Sequence, residues 1–242
     1  MAMKRLLIIL IAMLCIGNLQ AQQSLTPAAL GASAPVKQWT SSFTEIDVDA
    51  PVKLVLIKIP DDQAPYIVFD TKGNETSKFT AEVVRDRILK IRERYDPKRE
   101  SVTEVQIYFN TLTHINISRA KTIIEGVLTD KMITLNISND ATLLATLDVL
   151  DLMASISGNS CVELKGNALY QTVDVATAQY NAAGLETMST VVEAHHNSEV
   201  RIDATQRLVA KSTTGGEIFY KRKPDLIRVE ITLFGVDIAP LK

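Results

Sequence analysis

The apolar and polar residues of this chain are arranged in two different ways, and the arrangement changes near residue 39. Positions 6–16 form an unbroken apolar run. From Trp39 onward, apolar and polar residues alternate in short runs such as 52–57 and 66–69, separated by Pro, Gly, Asn and Asp. A period of two is typical of half-buried β-strands, and no segment keeps the 3.6-residue period of an amphipathic helix over three turns. The pattern therefore predicts an all-β protein with little helix.

The second half of the chain repeats at nearly constant spacing. We call one position in each repeat its head, and the heads lie 20, 19, 19, 19 and 17 residues apart: Ser118, Ser138, Ser157, Ala176, His195 and Ser212. The residue before each head is apolar except Lys211, and a second apolar column is predicted at Ile123, Leu143, Val162, Ala182, Val200 and Ile218. Coils this short cannot bury their own apolar side chains, so we expect them to stack as a β-solenoid with parallel strands. An antiparallel β-sandwich is the alternative architecture.

The N-terminus has the residue order of a secretory signal peptide. Lys4 and Arg5 precede the apolar run and small residues up to Ala21 follow it, which predicts a leader over 1–21 and export of the protein. The run is shorter than the roughly 20 residues of a membrane-spanning helix, so an integral membrane protein is not expected. Cys15 lies inside the run behind the bulky Leu14, which disfavours a lipid anchor. The expected location is the periplasm, the outer-membrane surface or the extracellular space.

Composition divides the rest of the chain into further segments. Residues 22–38 are small and polar with interspersed proline, and they are predicted to be a flexible lead-in. Residues 39–110 are predicted as an N-terminal β region, 111–224 as the solenoid repeats, and 225–242 as a C-terminal strand that caps the open end of the stack. Residues 39–242 are expected to form one continuous domain.

Overall composition excludes several classes of protein. The chain is 46% hydrophobic and 22% charged, which is enough to form a core and is not typical of disorder. Its net charge is −2, and acidic and basic residues alternate along it, so no nucleic-acid partner is expected. Removal of the leader would leave Cys161 as the one cysteine, so no internal disulfide is expected. We interpret Cys161 as a small, half-buried side chain.

The sequence contains no recognisable catalytic constellation. A carbohydrate-cleaving β-helix enzyme would need paired carboxylates, or an acidic calcium site with a nearby base, on one face of the stack. The acidic residues of the repeats instead fall in scattered columns, and no serine lies in a G-x-S-x-G elbow. We therefore predict no catalytic residue, no cofactor and no metal.

Four residues are candidates for ligand binding. His195 and His196 lie at a predicted turn near Glu193, but neighbouring strand residues point to opposite faces and would not chelate one metal together. Aromatic residues make up 5% of the chain, and the rings of Tyr180 and Tyr220 could form a platform on which a sugar stacks. Packing in the core or at its rim is the alternative interpretation of both tyrosines.

Two of the repeats resemble a known family. The segments Ile156–Leu164 and Lys211–Tyr220 are similar to the S-G-x-G-x-(I/V)-x-(L/Y) repeat of the DUF2807 family, the auto-transporter adhesin head GIN domain of secreted Bacteroidetes proteins. The resemblance covers roughly residues 40–222. Four coils lack the family's glycine, and their turns must use Asn, Asp, Gln or His instead. The resemblance implies a right-handed β-helix and an envelope or surface location, and it implies no activity.

Three functions remain open at the level of sequence. The leading hypothesis is a non-enzymatic envelope or surface protein, adhesin-like, that binds glycan or a cell-surface protein on a solenoid face. The alternatives are a polysaccharide-active β-helix enzyme and a structural module that associates with itself as a homo-oligomer. The scattered carboxylates disfavour the enzyme.

Overall fold

The computed structural model describes residues 34–73, 78–94, 101–232 and 234–241. The predicted leader and most of the predicted lead-in lie outside these ranges. The strands are β1 Val36–Trp39, β2 Glu45–Asp49, β3 Lys53–Lys58, β4 Tyr66–Asp70, β5 Thr80–Val84, β6 Ile88–Arg92, β7 Glu104–Phe109, β8 His114–Ser118, β9 Lys121–Ser138, β10 Thr142–Ser157, β11 Cys161–Ala176, β12 Gln179–His195, β13 Glu199–Thr213, β14 Glu217–Tyr220, β15 Leu226–Thr232 and β16 Ala239–Pro240. The only helical segment within the described ranges is a three-residue 3₁₀ turn at Arg85–Arg87, so the predicted all-β class is confirmed.

The strands stack as a β-solenoid of about seven turns. Strands β9 to β13 are 15 to 18 residues long, and each contributes to two columns of parallel strands. We call the column that runs in the order β7, β3, β9, β10, β11, β12, β13, β14 and β16 ladder A. We call the column that runs in the order β6, β2, β8, β9, β10, β11, β12, β13 and β15 ladder B. This parallel pairing confirms the solenoid and rules out the sandwich.

The N-terminal strands belong to the same stack as the repeats. Strand β2 pairs in parallel with β6 on one side and β8 on the other, while β3 lies between β7 and β9. Among the described strands, antiparallel pairing is confined to β1 with β4, β4 with β7, and β5 with β6. Strand β1 begins at Val36 and so overlaps the last residues of the predicted lead-in. The predicted N-terminal β region therefore contributes coils to the solenoid as well as antiparallel strands at its end.

The register confirms the predicted repeat heads except the last. Ser118 pairs with Ser138, and Ala176 lies between Ser157 and His195. In the last coil, however, Ser212 pairs with Ala194, so Thr213 follows His195 in the column of heads and the predicted head Ser212 is wrong by one residue. Lys211 then lies opposite Glu193 in an outward-facing column, and the buried Ser212 takes the inward position.

The second apolar column also differs from the prediction at two positions. Thr122 occupies the place predicted for Ile123, and Tyr180 the place predicted for Ala182. The reason is the length of the preceding turn. Those turns contain a single left-handed residue, Arg119 or Thr177, whereas the longer turns contain two in succession, such as Asn139 and Asp140. A turn that is one residue shorter moves every later position of the coil by one, which accounts for the change from Ile123 to Thr122. The change from Ala182 to Tyr180 is two positions, because Ala182 was placed six residues after its head whereas Leu143, Val162 and Val200 lie five after theirs.

A small-residue column lines the inside of these turns. Its buried members lie at successive positions of the stack: Ala120, Ala141, Ser160, Ala178 and Ser198. Small side chains at these positions let the chain reverse between ladder B and ladder A without leaving the core. The apolar columns on either side are almost completely buried and merge into one continuous core along the stack.

Thr122→Val is expected to raise the free energy of unfolding by about 1 kcal/mol. Thr122 is 1% exposed between Leu54 and Leu143, and its hydroxyl has no hydrogen-bond partner among the described residues. Valine keeps the shape and removes the buried polar atom. Urea unfolding followed by circular dichroism measures the change.

The same substitution at Thr190 provides the control and is expected to have the opposite sign. The Thr190 hydroxyl donates to Gln171 Oε1 at 3.1 Å and lies 2.7 Å from the Thr187 hydroxyl. Thr190→Val therefore removes the hydrogen bond to the buried Gln171 Oε1 and one of the contacts of the Thr187 hydroxyl, which keeps the Asp203 carbonyl oxygen as a partner. We expect a loss of about 1–3 kcal/mol. A loss of stability for Thr122→Val as large as that for Thr190→Val would contradict the register at Thr122.

Candidate functional site

The structure places both candidate tyrosines toward the interior. Tyr180 is 1% exposed, pairs with Val162 and Val200 in the core column, and its hydroxyl accepts a hydrogen bond from Gln171 Nε2. Burial raises the pKa of Tyr180 above its usual value. Tyr220 is partly buried, pairs with Ile202 and packs against the core. This corrects the predicted stacking platform, because Tyr180 offers no ring face to a ligand.

The two candidate histidines lie at the surface of ladder B. His195 is partly buried, with its Nε2 3.4 Å from Asp174 Oδ1 and 3.6 Å from Glu193 Oε2, and its Nδ1 2.7 Å from the Thr213 hydroxyl. His196 is exposed, and the two ring centroids are 6.3 Å apart. In the part of the chain that the structure describes, no group of three or more His, Cys, Asp or Glu side chains could hold a metal ion. A binding role for either histidine stays a prediction.

Three aromatic rings stack on the outward side of the solenoid's N-terminal end. Strand pairing aligns Trp39 with Tyr66 and Tyr66 with Tyr108. The centroids of the first pair are 5.1 Å apart, and the second pair is stacked at 4.2 Å with an interplanar angle of 14°. Lys37 Nζ lies 4.1 Å from the Trp39 centroid and 3.7 Å from the Tyr66 centroid. We call Trp39, Tyr66 and Tyr108 the aromatic ladder.

The exposure of the aromatic ladder increases toward the end of the solenoid. Tyr108 and Tyr66 are partly buried, whereas Trp39 is 62% exposed on β1, the first strand of the stack. The Tyr108 hydroxyl donates to Gln106 Oε1 at 3.1 Å. The surface therefore offers an exposed indole, two phenol hydroxyls and a cation, a combination that can stack on and hydrogen-bond to a polar ligand with apolar faces.

A shallow depression continues the same outward surface along ladder A. Its volume is about 320 Å³, and it is lined by Ile123, Ile124, Leu144, Ala145, Thr146, Glu163 and Lys165. It arises because β9 bulges, so that residues 124–126 lie opposite Ala145 alone. On its polar side, Lys165 Nζ lies 2.9 Å from Glu163 Oε1.

A buried carboxylate lies in the coil near the C-terminal end of ladder A. Asp203 is 2% exposed and accepts hydrogen bonds from Arg222, with Nε at 2.7 Å and Nη2 at 2.9 Å, while Lys221 Nζ lies 3.3 Å away. Arg222 Nη2 also donates to Glu186 Oε2 at 2.6 Å. Burial by itself raises the pKa of Asp203, but the hydrogen bonds from Arg222 and Lys221 outweigh it and hold the pKa below its usual value. This cluster fastens the segment after β14 to the preceding coils.

Asp203→Asn is expected to lower the free energy of unfolding at neutral pH by about 2 kcal/mol. The folded-state pKa of Asp203 is lowered. The stabilisation that its carboxylate gives to the folded state is therefore present above the unfolded-state pKa of about 4, and it is lost as the pH falls through the folded-state pKa. The difference between wild type and variant should therefore disappear in acid. Urea unfolding across a pH series measures it.

Glu186→Gln is the matched control for this prediction. Glu186 shares Arg222 with Asp203, but its side chain is 56% exposed, so the change should be less than about 0.5 kcal/mol. Equal effects of the two substitutions would contradict a buried role for Asp203.

The aromatic ladder was not predicted from the sequence. Its three rings lie on strands whose antiparallel pairing joins positions far apart in the chain, and nothing in the local pattern indicates which strands pair. The available signal was that each ring occupies an outward position of an alternating strand. Within the described ranges, no helix combines the length and the apolar character of a membrane span.

The sequence matches one family model. The model is described as "Putative auto-transporter adhesin, head GIN domain" (DUF2807), and it matches residues 42–224, about three-quarters of the chain. A search of curated proteins finds no significant match.

Solved structures share the fold at low sequence identity. A "putative adhesin" from Bacteroides fragilis is 17% identical with a TM-score of 0.76, and the match covers 86% of this chain and 96% of that one. A "putative lipid binding protein" from Parabacteroides distasonis is 19% identical with a TM-score of 0.67, covering 88% and 98%. A "putative adhesin" from Parabacteroides merdae is 17% identical with a TM-score of 0.66, covering 88% and 98%.

Proposed function

Because the chain belongs to the DUF2807 family, we propose that it is an exported, non-enzymatic surface protein that binds glycan along the outward face formed by β1, β4 and ladder A. The predicted leader supports export, and the adhesin descriptions of similar structures support a surface role. The single observation that carries the ligand class is the aromatic ladder. Sugar rings have apolar C–H faces that stack on aromatic rings and hydroxyls that hydrogen-bond at their edges.

The proposed binding face is long enough for an oligosaccharide. From Trp39 on β1 to Glu163 on β11 there are six steps between neighbouring strands, and at roughly 4.8 Å per step they span roughly 29 Å. Trp39 provides a stacking surface at one end. At the other end, Glu163 and Lys165 offer a hydrogen-bond acceptor and donor beside the apolar side chains of Ile123 and Leu144. A chain of several sugars is the ligand that fits this order of groups.

A glycan-array screen of the mature chain (residues 22–242), with chromatography of each bound glycan after incubation, tests the proposal. We expect selective binding of oligosaccharides and recovery of every ligand intact. Cleavage of a bound glycan would contradict the non-enzymatic assignment. Absence of all glycan binding, together with capture of a cell-surface protein in a pull-down, would contradict the ligand class and favour a protein partner.

A second candidate ligand class is lipid. An apolar ridge follows the bend between the two ladders, and its members are 39–50% exposed: Met132, Leu150, Met153, Leu169 and Tyr170. Leu150 and Leu169 occupy neighbouring coils, and one structurally similar protein is described as lipid binding. Flotation with vesicles of neutral phospholipid tests this candidate. Binding that is lost in Leu150→Ser/Leu169→Ser but kept in Trp39→Ala would favour lipid over glycan.

A further inference from the structure

The C-terminal end of ladder B leaves the core partly open. Strand β15 continues the stack in parallel with β13, and no other described strand pairs with it. Its inward positions extend the columns of Leu208, Ala210 and Ser212, which are completely buried. Val229 and Ile231 continue those columns but remain 37% and 47% exposed. The predicted capping strand therefore adds a coil whose outer edge is free within the described ranges.

An open edge of this kind favours pairing with another strand. The edge of β15 presents unpaired backbone N–H and C=O groups, and apolar side chains beside it strengthen the attraction. Phe234, 92% exposed, and Val236, 40% exposed, enlarge the apolar surface at the same end. The opposite end of the solenoid differs, since antiparallel strands cover it and Gln38 Nε2 donates to the Ala81 carbonyl oxygen at 2.9 Å between β1 and β5.

We propose that a second copy of this chain covers the open end by antiparallel pairing of β15 with β15 across a two-fold axis at Val229. In this register Arg228 lies opposite Glu230 of the second copy, and Glu230 lies opposite Arg228 of the second copy. On the inward side, Ile227 meets Ile231 and Val229 meets its own counterpart. Every charged pair has opposite signs, and every inward pair is apolar.

Neighbouring registers are less favourable. A two-fold axis at Arg228 places Arg228 opposite itself, and an axis at Glu230 places Glu230 opposite itself. Like charges directly opposite each other destabilise a strand pair, whereas opposite charges stabilise it. Arg228 and Glu230 are both exposed, and neither forms an ion pair with another described residue. The sequence Leu226–Thr232 is therefore self-complementary in one register. Because the contact is the same on both copies, the assembly closes as a dimer and does not extend into a filament.

Charge exchange on β15 tests this dimer, with sedimentation of the mature chain as the measurement. Arg228→Glu and Glu230→Arg each turn two attractive pairs into two repulsive ones, and each should raise the dimer dissociation constant at least about tenfold. An equimolar mixture of the two variants should associate as a heterodimer, and Arg228→Glu/Glu230→Arg should restore the homodimer. Arg207→Glu, an exposed charge change on the adjacent strand β13, should leave association unchanged.

Two outcomes would overturn the proposal. One is a wild-type chain that stays monomeric at every concentration at which it is soluble. The other is a mixture of Arg228→Glu and Glu230→Arg that associates no more strongly than either variant alone. The test does not involve the aromatic ladder, so it is independent of the proposed glycan binding.

Discussion

Gly166→Ala is expected to lower the free energy of unfolding by about 3–5 kcal/mol. Gly166 has a φ of +103°, and a Cβ atom placed on it would lie 2.0 Å from the carbonyl oxygen of Leu147, its partner on the preceding coil. Neither backbone can move away without breaking the parallel pairing of β10 with β11. Urea unfolding of the mature chain, followed by circular dichroism, measures the effect.

Gly126→Ala is the matched control for this prediction. Gly126 also has a left-handed backbone, with a φ of +76°, but a Cβ atom on it would meet no other atom within 4 Å. Its substitution therefore carries the backbone strain alone, about 1 kcal/mol. Equal losses of stability in the two variants would contradict the close approach of the neighbouring coils at Gly166.

Trp39→Ala is expected to weaken glycan binding by about tenfold to a hundredfold, since buried aromatic contacts dominate binding surfaces and each tenfold corresponds to about 1.4 kcal/mol. Trp39 is the most exposed ring of the aromatic ladder, and its loss removes the stacking surface at the end of the proposed face. Titration calorimetry with a glycan found on the array measures the affinity. The free energy of unfolding should change little, because the indole is 62% exposed.

Tyr170→Ala is the control for Trp39→Ala. Tyr170 is also a surface ring, 46% exposed, but it lies on ladder B at the ridge between the two ladders. Its removal should leave glycan affinity unchanged. A loss of affinity in Tyr170→Ala with none in Trp39→Ala would move the binding surface to the ridge.

The solenoid could be predicted because its inward positions obey a simple rule. Residues two apart point to the same side of a strand, so the apolar residues before Ser118, Ser138 and Ser157 fixed the stacking of those coils. The rule failed where the inward residue is polar. Ser212 lies in the core column although its hydroxyl is polar, because that hydroxyl donates to the Gly216 carbonyl oxygen at 2.6 Å.

Turn length was the second limit on prediction. A turn with one left-handed residue is shorter than a turn with two, and the residue types do not reveal which is present. Arg119 and Thr177 take left-handed backbones although neither is a preferred turn residue. Asn139, Asp140 and Asn197 do so as expected from their side chains. The one-residue error at Thr122 follows directly from its short turn, whereas the two-residue error at Tyr180 combines a short turn with an interval predicted one residue too long.

The candidate binding surface could not be predicted from the sequence, for a different reason. The aromatic ladder depends on antiparallel pairing of β1, β4 and β7, and pairing between distant strands leaves no periodic signal in the chain. The tyrosines chosen from the sequence lay in the repeats, where alternation turned Tyr180 inward. A change of one residue in strand register moves a ring from the core to the surface. The register therefore determines whether the ring packs in the core or is available to a ligand.

Trp39 is the only tryptophan of the chain, so its fluorescence tests the proposed binding face most directly. A glycan selected on the array is titrated into the mature chain while the tryptophan emission is recorded. Binding at the aromatic ladder predicts a saturable change in emission with the same dissociation constant that calorimetry gives. Calorimetric binding with no change in Trp39 emission would contradict a glycan site on this face.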